Sequence, residues 1–454
     1  MIELGALVRE LARRAASDWT VVERRTETAS ADQATGERRR EQRARWVLIV
    51  HDDTPDGRGT ARLELGAFDG TIPQLVDQAQ RLAHAAIGPA WVTRPPAAPA
   101  QIALFDNALG GVELPDAAAG VVHGVGRPPG SQIAVRAEVS RTEVTVRTAK
   151  GLRATWSESL YRASALVIAS GRSMEVARTA RTREDLGAFD AALREAVDDL
   201  GQLAVAAAPT PGPCALILGA DALLADDGYG VWAPFVAQAD AVRARQGLAR
   251  YRLGMAVAPG ADQIAEPLSI ISDGALDNGV RSAPLDDEGS AIRRFPIVER
   301  GIAVGLGMRA REAAFLRADP NGGVRNLLVA TGTWDDAIPA GERVVEIRRL
   351  RELSIDPYTG DASLEIALAL DHDRGVVTPI AGGTVRLDLV AALARAAQCD
   401  RDPPRAVRRA PRRAHRSGRA ARVMSSSSPS AATHLRSPGL AAASHRRPAR
   451  PPRA

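Results

Sequence analysis

Three consecutive carboxylates, Asp286, Asp287 and Glu288, precede Gly289 and offer the clearest chemistry in this 454-residue chain. Carboxylates accept hydrogen bonds from amides and pair with arginine. Because like charges repel, we do not expect all three to be buried together. One interpretation is an exposed turn in which one aspartate bonds backbone amides two residues further on. The other is that the turn lines a cavity and contacts peptide amides or an arginine.

Metal chemistry has little support in the sequence. A zinc peptidase helix needs two histidines on one face and a glutamate that takes a proton from the metal-bound water. The chain has seven histidines, and no two of them stand three to five residues apart. Its two cysteines, Cys214 and Cys399, are far apart, which fits a reducing compartment. The sequence therefore predicts no bound metal ion and no cofactor.

Further positions downstream of the acidic turn complete an ordered pattern. A predicted hairpin with its tip at Arg300-Gly301 follows the turn, and a Thr-Gly-Asp segment comes later. In this order and spacing, roughly residues 1–395 resemble the TldD/PmbA family of metallopeptidases. The candidate site residues are the positions that match the family's motifs: Asp286, Asp287, Glu288, Gly289, Asn326, Gly332, Thr359, Gly360 and Asp361.

The resemblance implies a helix bearing His-Glu-x-x-x-His after a buried strand, here residues 214–218. Residues 219–240 contain no histidine, and their carboxylates are Asp221, Asp226, Asp227 and Asp240. The cysteine that catalytic members carry near the C-terminus is missing from residues 375–383. The chain therefore looks like the PmbA-type half of the family, which lacks the metal. Such a half would assemble with a zinc-bearing homologue to support proteolysis or peptide maturation, and its acidic turn would contact a peptide or an arginine of that homologue.

Hydrophobic patterns and the resemblance predict an α+β fold, in which a helix-and-sheet domain precedes a C-terminal domain rich in antiparallel strands. Four strands are predicted in the centre of the chain, at residues 133–139, 143–148, 152–157 and 162–170. The predicted segments are an N-terminal α+β domain at 1–93, a linker or irregular loop at 94–131, a central strand meander plus helix at 132–208, a β-rich domain at 209–396 and a disordered basic tail at 397–454.

The net charge of +5 is distributed unevenly. Fourteen arginines and two aspartates from Cys399 onward give +12, so the preceding residues carry −7. A nucleic-acid partner is therefore a hypothesis for the tail alone. The tail could also be a polybasic contact surface, and the interpretation that we favour is the out-of-frame reading of a GC-rich gene. A peptidase with an unrecognised set of ligands also stays open. Because no apolar run reaches about 18 residues, we expect no membrane span and a cytoplasmic protein.

Overall fold

The N-terminal part of the chain folds around one seven-stranded antiparallel sheet. The computed structural model describes residues 3–14, 18–66, 70–93, 98–187, 189–223, 229–263, 266–330, 343–398 and 421–423. The strands of this sheet are β1 (Asp18–Asp32), β2 (Arg38–Thr54), β3 (Gly57–Leu65), β4 (Ile87–Gly88), β5 (Gln132–Thr148), β6 (Arg153–Ala169) and β7 (Arg172–Ala180). Their order is β4-β3-β2-β1-β5-β6-β7. Because β1 pairs with β5, the predicted N-terminal and central segments share one sheet.

Helices cover one face of this sheet. They are α1 (Leu4–Arg13), α2 (Ile72–Ala85), α3 (Leu114–Gly124), α4 (Arg183–Leu186) and α5 (Phe189–Ala204). Leu7 and Leu11 of α1 pack with Leu75 of α2 against Val21 and Leu48 of the sheet. Apolar side chains at helical spacing bury a single stripe of each helix, which is why sequence periodicity predicted α1 and α2.

The prediction that residues 94–131 are a linker or an irregular loop is wrong for their middle part. This part forms α3, whose alanines pack with α5 on the sheet. Pro115 lies in the first turn, where the missing amide hydrogen costs nothing, and alanine has the highest helix propensity. The glycines and prolines that suggested a linker flank the helix.

The predicted division of residues 133–170 into four strands is also wrong, although the predicted meander is present as β5, β6 and β7. The structure has two 17-residue strands, β5 and β6, in place of four short ones. Polar residues such as Ser140 and Ser159 suggested turns, but both are buried within strands. Burial of Ser159 is tolerated because its hydroxyl donates a hydrogen bond to the carbonyl of Arg181 at 2.7 Å. A tertiary hydrogen bond therefore satisfies a group that the sequence shows only as polar.

The C-terminal part contains two further sheets, and the predicted α+β fold class is confirmed. Its elements are β8 (Ala215–Leu218), α6 (Ala220–Leu223), α7 (Ala233–Gln238), α8 (Ala241–Arg245), β9 (Ile270–Asp273), β10 (Arg294–Glu299), β11 (Ile302–Ala303), α9 (Ala310–Phe315), β12 (Asn326–Val329), β13 (Val344–Ile355), β14 (Asp361–Asp373), β15 (Val376–Ile380), β16 (Thr384–Asp388), α10 (Leu389–Ala394), β17 (Ala397–Gln398) and β18 (Ala421–Val423). One sheet has the order β11-β10-β9-β12 and the other β15-β14-β13-β8-β18-β17, with β16 beside β14. Only the β8–β13 pair among these described strands is parallel.

The predicted hairpin tip at Arg300-Gly301 is confirmed between β10 and β11. Both residues have left-handed backbone angles, φ 47° and 76°, as a two-residue turn of type I′ requires. A side chain at Gly301 would also lie 2.4 Å from the carbonyl oxygen of Ala261. Among the helices that the structure describes, none combines the length and the apolar character needed to cross a membrane.

Strands β17 and β18 fall within the predicted tail, and all its other residues lie outside the described part of the chain. Residues of β18 pair antiparallel with Leu216, Ile217 and Leu218 of β8. We expect removal of residues 400–454 to lower Tm by several degrees, because it leaves this edge of β8 unpaired. About 1 kcal/mol corresponds to about 2–4 °C in a domain of some 200 residues.

The matched control removes only residues 431–454, which keeps β18 and should leave Tm unchanged. Thermal unfolding followed by circular dichroism compares the two truncated forms with the full chain. Equal Tm values for both truncated forms would mean that β18 contributes nothing to the sheet.

Candidate functional site

Asp286 organises the acidic turn, which lies between β9 and β10. Its Oδ1 atom accepts hydrogen bonds from the backbone amides of Glu288 at 2.9 Å and Ser290 at 2.8 Å. Burial raises the pKa of this carboxyl, and the two amides oppose the rise. The predicted bond from an aspartate to an amide two residues on is thus confirmed. The side chain is 4% exposed, however, so the turn is not the exposed one that repulsion suggested.

Asp287 connects the turn to the N-terminal sheet. Arg24 of β1 contacts its Oδ1 atom at 2.9 Å, and Arg62 of β3 contacts its Oδ2 atom at 2.7 Å. Burial alone would raise the pKa of Asp287, but the two guanidinium groups outweigh it and lower this pKa. Repulsion within the turn is therefore offset by cations from strands more than 200 residues away in sequence.

Glu288 points toward the start of α9. Its Oε2 atom accepts a hydrogen bond from the amide of Ala310 at 3.0 Å, and its carbonyl accepts one from the Thr20 hydroxyl at 3.4 Å. Burial and the adjacent charge of Asp286 raise the pKa of Glu288 to about 7, although the Ala310 amide opposes the rise. A carboxyl with a pKa near neutrality can donate or accept a proton at physiological pH.

Gly289 closes the turn where it touches the N-terminal sheet. Its φ of 78° is left-handed, and a Cβ atom would lie 2.9 Å from Cγ2 of Thr148 and 3.1 Å from Cδ2 of Leu152. Any other residue would strain the backbone and push against these two side chains. Glycine is thus required by both the turn and the close approach.

A cleft of about 200 Å³ opens beside the turn, between the N-terminal sheet and the start of α9. We call it the polar cleft, and its charged and hydroxyl-bearing lining residues include Asp18, Thr20, Thr93, Lys150, Glu288 and Arg293. Of the acidic turn, Glu288 and Gly289 line the cleft. Asp286 is instead bonded to backbone amides, and Asp287 is paired with arginines. The arrangement suits hydrogen bonding to a peptide and proton exchange at Glu288.

Asn326, another predicted site residue, lies on β12 and supports a loop. Its side-chain nitrogen donates to the Asp273 carbonyl at 2.7 Å and to the Ser282 hydroxyl at 2.8 Å. Its side-chain oxygen accepts from the amide of Arg281 at 2.9 Å. These bonds fix the chain between β9 and the acidic turn, so Asn326 acts on the turn indirectly. Gly332 lies outside the described residues.

Thr359, Gly360 and Asp361 belong to the turn between β13 and β14. Gly360 has a left-handed φ of 77°, and its amide donates to the Asp356 carbonyl at 2.8 Å. The Asp361 amide donates to the Thr359 hydroxyl at 3.2 Å. The carbonyl of Thr359 accepts from Arg250 at 2.8 Å. Among the described residues, the elements that contact this turn differ from those that contact the acidic turn. The predicted positions therefore form more than one local site.

The C-terminal part has recognisable relatives. Residues 233–431 match the sequence model of the PmbA/TldA metallopeptidase C-terminal domain. This part of the chain belongs to the TldD/PmbA family. The match runs past residue 395, where the sequence analysis ended the resemblance. No match was found among curated proteins.

Solved structures share the fold of this chain. A protein named as a modulator of DNA gyrase from Bacteroides thetaiotaomicron superposes with a TM-score of 0.69 at 14% identity, over 87% of this chain and 92% of its own. TldE from Thermococcus kodakarensis gives 0.67 at 16% identity, over 87% and 95%. A second protein named as a modulator of DNA gyrase, from Thermotoga maritima, gives 0.65 at 16% identity, over 87% and 94%. At these identities the likeness concerns the fold alone.

The donor set among the described residues does not fit a catalytic zinc ion. Across the described ranges, no three His, Cys, Asp or Glu residues are grouped so that they could hold a metal. After β8, Asp226 and Asp227 lie outside the described residues, and Asp240 caps α8 through the amides of Val242 and Arg243. The sequence of that segment supplies no imidazole. We therefore derive no step through a metal.

Sequence reasoning missed residues that build the site from the N-terminal sheet. Arg24, Arg62, Thr93 and Lys150 reach the turn or the cleft from strands and loops far away in sequence. Of these four residues, only Lys150 stands out in the sequence, because it is the only lysine in the chain. Local patterns cannot show which distant strand will meet a turn.

Proposed function

We propose that this chain is a metal-free subunit of a TldD/PmbA-type complex and supports metallopeptidase-dependent proteolysis or peptide maturation. The zinc-bearing partner would be a homologue that carries His-Glu-x-x-x-His. One observation carries the proposal, namely that residues 219–240 of a family member contain no histidine. The zinc site that the resemblance implies needs two imidazole ligands in this segment.

The acidic turn gives the subunit a role in handling peptide. Glu288 lies at the polar cleft with a pKa of about 7. Asp286 and Asp287 hold the turn in place through two amides and two arginines. We propose that Glu288 and Gly289 contact a peptide or unfolded polypeptide, while Asn326 and the Thr359–Gly360–Asp361 turn keep the surrounding loops in position. Gly332 stays a candidate without a structural account.

An exposed apolar strand supports the proposed assembly. β15 lies at the edge of its sheet and exposes 64% of Val376 and 53% of Val377. Exposed apolar side chains on an edge strand are typical of surfaces that another chain covers. With only two cysteines, we place the complex in the reducing cytoplasm.

Co-expression with a zinc-bearing homologue tests this proposal. We expect the two chains to co-purify with about one zinc ion per pair and to cleave an unstructured peptide that neither chain cleaves alone. The control is a partner whose motif glutamate is replaced by glutamine, which should still assemble but lose activity because the proton acceptor is gone. Zinc content is measured by elemental analysis and cleavage by mass spectrometry.

Two outcomes would contradict the proposal. This chain could bind stoichiometric zinc and cleave peptides alone, which would make it a peptidase with unrecognised ligands. The chains could also fail to associate under all salt conditions. Binding of the isolated chain to DNA, lost on removal of residues 400–454, would instead favour the nucleic-acid function of the tail.

A further inference from the structure

A second cavity lies beside the polar cleft. It measures about 450 Å³ and is lined by residues 90–93 on one side and by Ala314, Phe315 and Arg317 on the other. We call it the arginine pocket. Its volume falls within the range of about 300–1,000 Å³ that is common for ligand sites. Thr93 lines both cavities, so the arginine pocket adjoins the polar cleft.

The walls of the arginine pocket offer apolar contacts. Trp91 is 8% exposed, and its ring is held by the guanidinium group of Arg58 at 4.6 Å and the imidazole of His51 at 5.2 Å. This wall is therefore fixed before a ligand binds, which lowers the entropic cost of binding. Val92 lies beside it and is 74% exposed, and Phe315 belongs to the opposite wall. An apolar side chain that enters the pocket would shield these groups from water.

Arginines outnumber carboxylates around the pocket. Arg317 lines it, and the guanidinium groups of Arg245 and Arg311 lie 5.3 Å and 5.8 Å from the centroid of the Phe315 ring. The carboxylate of Glu312 lies 4.0 Å from Arg245. Among the described residues, Arg311 and Arg317 form no ion pair, and no carboxylate lines the pocket. Two positive charges are therefore left for a ligand to match.

The charges of the neighbouring polar cleft distinguish between two classes of acidic ligand. In that cleft, Lys150 lies 3.9 Å from Asp18, and Arg293 pairs with Asp319 at 3.2 Å. A nucleic acid carries a phosphate at every nucleotide and needs a row of free cations, which the described residues of the cleft do not supply. A polypeptide can place an acidic side chain at the pocket and its neutral backbone beside the cleft. These contacts therefore favour a polypeptide.

We propose that the arginine pocket binds a segment of a substrate polypeptide in which an apolar side chain is flanked by acidic residues. The apolar side chain would lie between Val92 and Phe315, and a flanking carboxylate would pair with Arg317. This inference rests on the proposed peptide-handling function and names the class of polypeptide that the chain takes. No covalent step is involved.

Binding of short peptides to the isolated full chain tests the proposal. The probes are N-acetyl-Gly-Glu-Leu-Glu-Gly-amide and two analogues, in which both glutamates become glutamine or the leucine becomes serine, each measured by isothermal titration calorimetry. We expect the glutamine peptide to bind at least about 5-fold more weakly, because the ion pairs with arginine are lost. The serine peptide should bind about 10-fold more weakly, because it buries less apolar surface.

Variants assign the binding to the pocket. Arg317→Gln should reduce the preference for the glutamate peptide over the glutamine peptide by at least about 2-fold, and Arg317→Lys should keep most of it. Val92→Ser should weaken the leucine peptide and leave the serine peptide unchanged. The control is Arg351→Gln, an equal change of charge at a 64% exposed side chain on β13 that pairs with Glu365, and it should bind like the parent chain. Circular dichroism verifies that each variant is folded.

The arginine-rich tail also attracts acidic peptides, so only the preference that Arg317→Gln loses and Arg351→Gln keeps belongs to the pocket. Equal affinity for the glutamate and glutamine peptides, absence of saturable binding, or an undiminished preference in Arg317→Gln would each overturn the proposal. An oligothymidylate that abolishes the part of the binding that depends on Arg317 would overturn it in favour of a nucleic-acid site. These measurements need no zinc-bearing partner. Their failure would leave the assembly experiment unaffected, and failure to assemble would leave these affinities unaffected.

Discussion

Replacing Arg181 with alanine should lower the free energy of unfolding by about 3–5 kcal/mol, the range for removing one partner of a buried ion pair. Arg181 follows β7 and is 4% exposed. Its guanidinium contacts the Glu158 carboxylate at 3.1 Å, and it also donates to the carbonyls of Ser159, Gly279, Val280 and Ser282 at 3.0–3.3 Å. Alanine would leave Glu158 without its cation and these carbonyls without this donor.

The effect should reach the acidic turn, because three of the four carbonyls lie in the loop that leads to it. Arg181→Lys should recover little, since an ammonium group cannot span acceptors arranged around a planar fork. The control is Arg351→Ala, which breaks an exposed pair with Glu365 at 2.9 Å and should cost less than about 1 kcal/mol. Urea unfolding followed by circular dichroism compares the midpoints. Similar losses for Arg181→Ala and Arg351→Ala would mean that the buried network contributes no special stability.

Several elements of the fold could be predicted from the sequence alone. The helices α1 and α2 were predictable, because leucines at helical spacing reveal a buried face regardless of what covers it. The hairpin at Arg300-Gly301 was predictable because a two-residue turn has local backbone requirements. Both features depend on residues close together in the chain.

Of the two interpretations of the acidic turn, the exposed turn is wrong because the burial of the turn depends on distant residues. Repulsion among Asp286, Asp287 and Glu288 favoured exposure, and nothing near them in sequence offsets it. Arg24 and Arg62 do so from two strands of the N-terminal sheet. The prediction of four short strands in place of β5 and β6 failed for the same reason. The hydroxyl of buried Ser159 is satisfied by the Arg181 carbonyl, which a local pattern cannot show. Position in the motif identified the turn, but only the tertiary structure shows its partners.

The raised pKa of Glu288 predicts how stability should depend on pH. The carboxyl has a pKa of about 7 in the folded chain, against an ordinary value of 4.5 in the unfolded chain. The folded state therefore binds this proton more tightly. Its contribution to stability is fully present below pH 4.5 and is lost as the pH rises through about 7. A shift of this size corresponds to about 3 kcal/mol, and we expect about 2 kcal/mol because water in the polar cleft screens part of the effect.

Glu288→Gln should remove this dependence, because glutamine does not titrate and its side-chain oxygen can still accept the hydrogen bond from the Ala310 amide. At pH 8 the variant should be about 2 kcal/mol more stable than the parent chain, and near pH 4.5 the two should be equal. Urea unfolding at half-unit steps of pH gives both profiles. The control is Glu365→Gln on the half-exposed partner of Arg351, whose profile should run parallel to that of the parent.

Comparing variant with parent at each pH is essential, because another buried group titrates in the opposite direction. Burial and the nearby charge of Arg58 lower the pKa of His51 to about 4, so this histidine destabilises the folded chain as the pH falls below 6.5. That effect is common to parent and variant and cancels in their difference. The difference should then grow between about pH 4.5 and pH 7 and stay constant above that window. A difference that stays constant from pH 4.5 to 8 would show that Glu288 has an ordinary pKa, and the acidic turn would lose its proton-exchanging group.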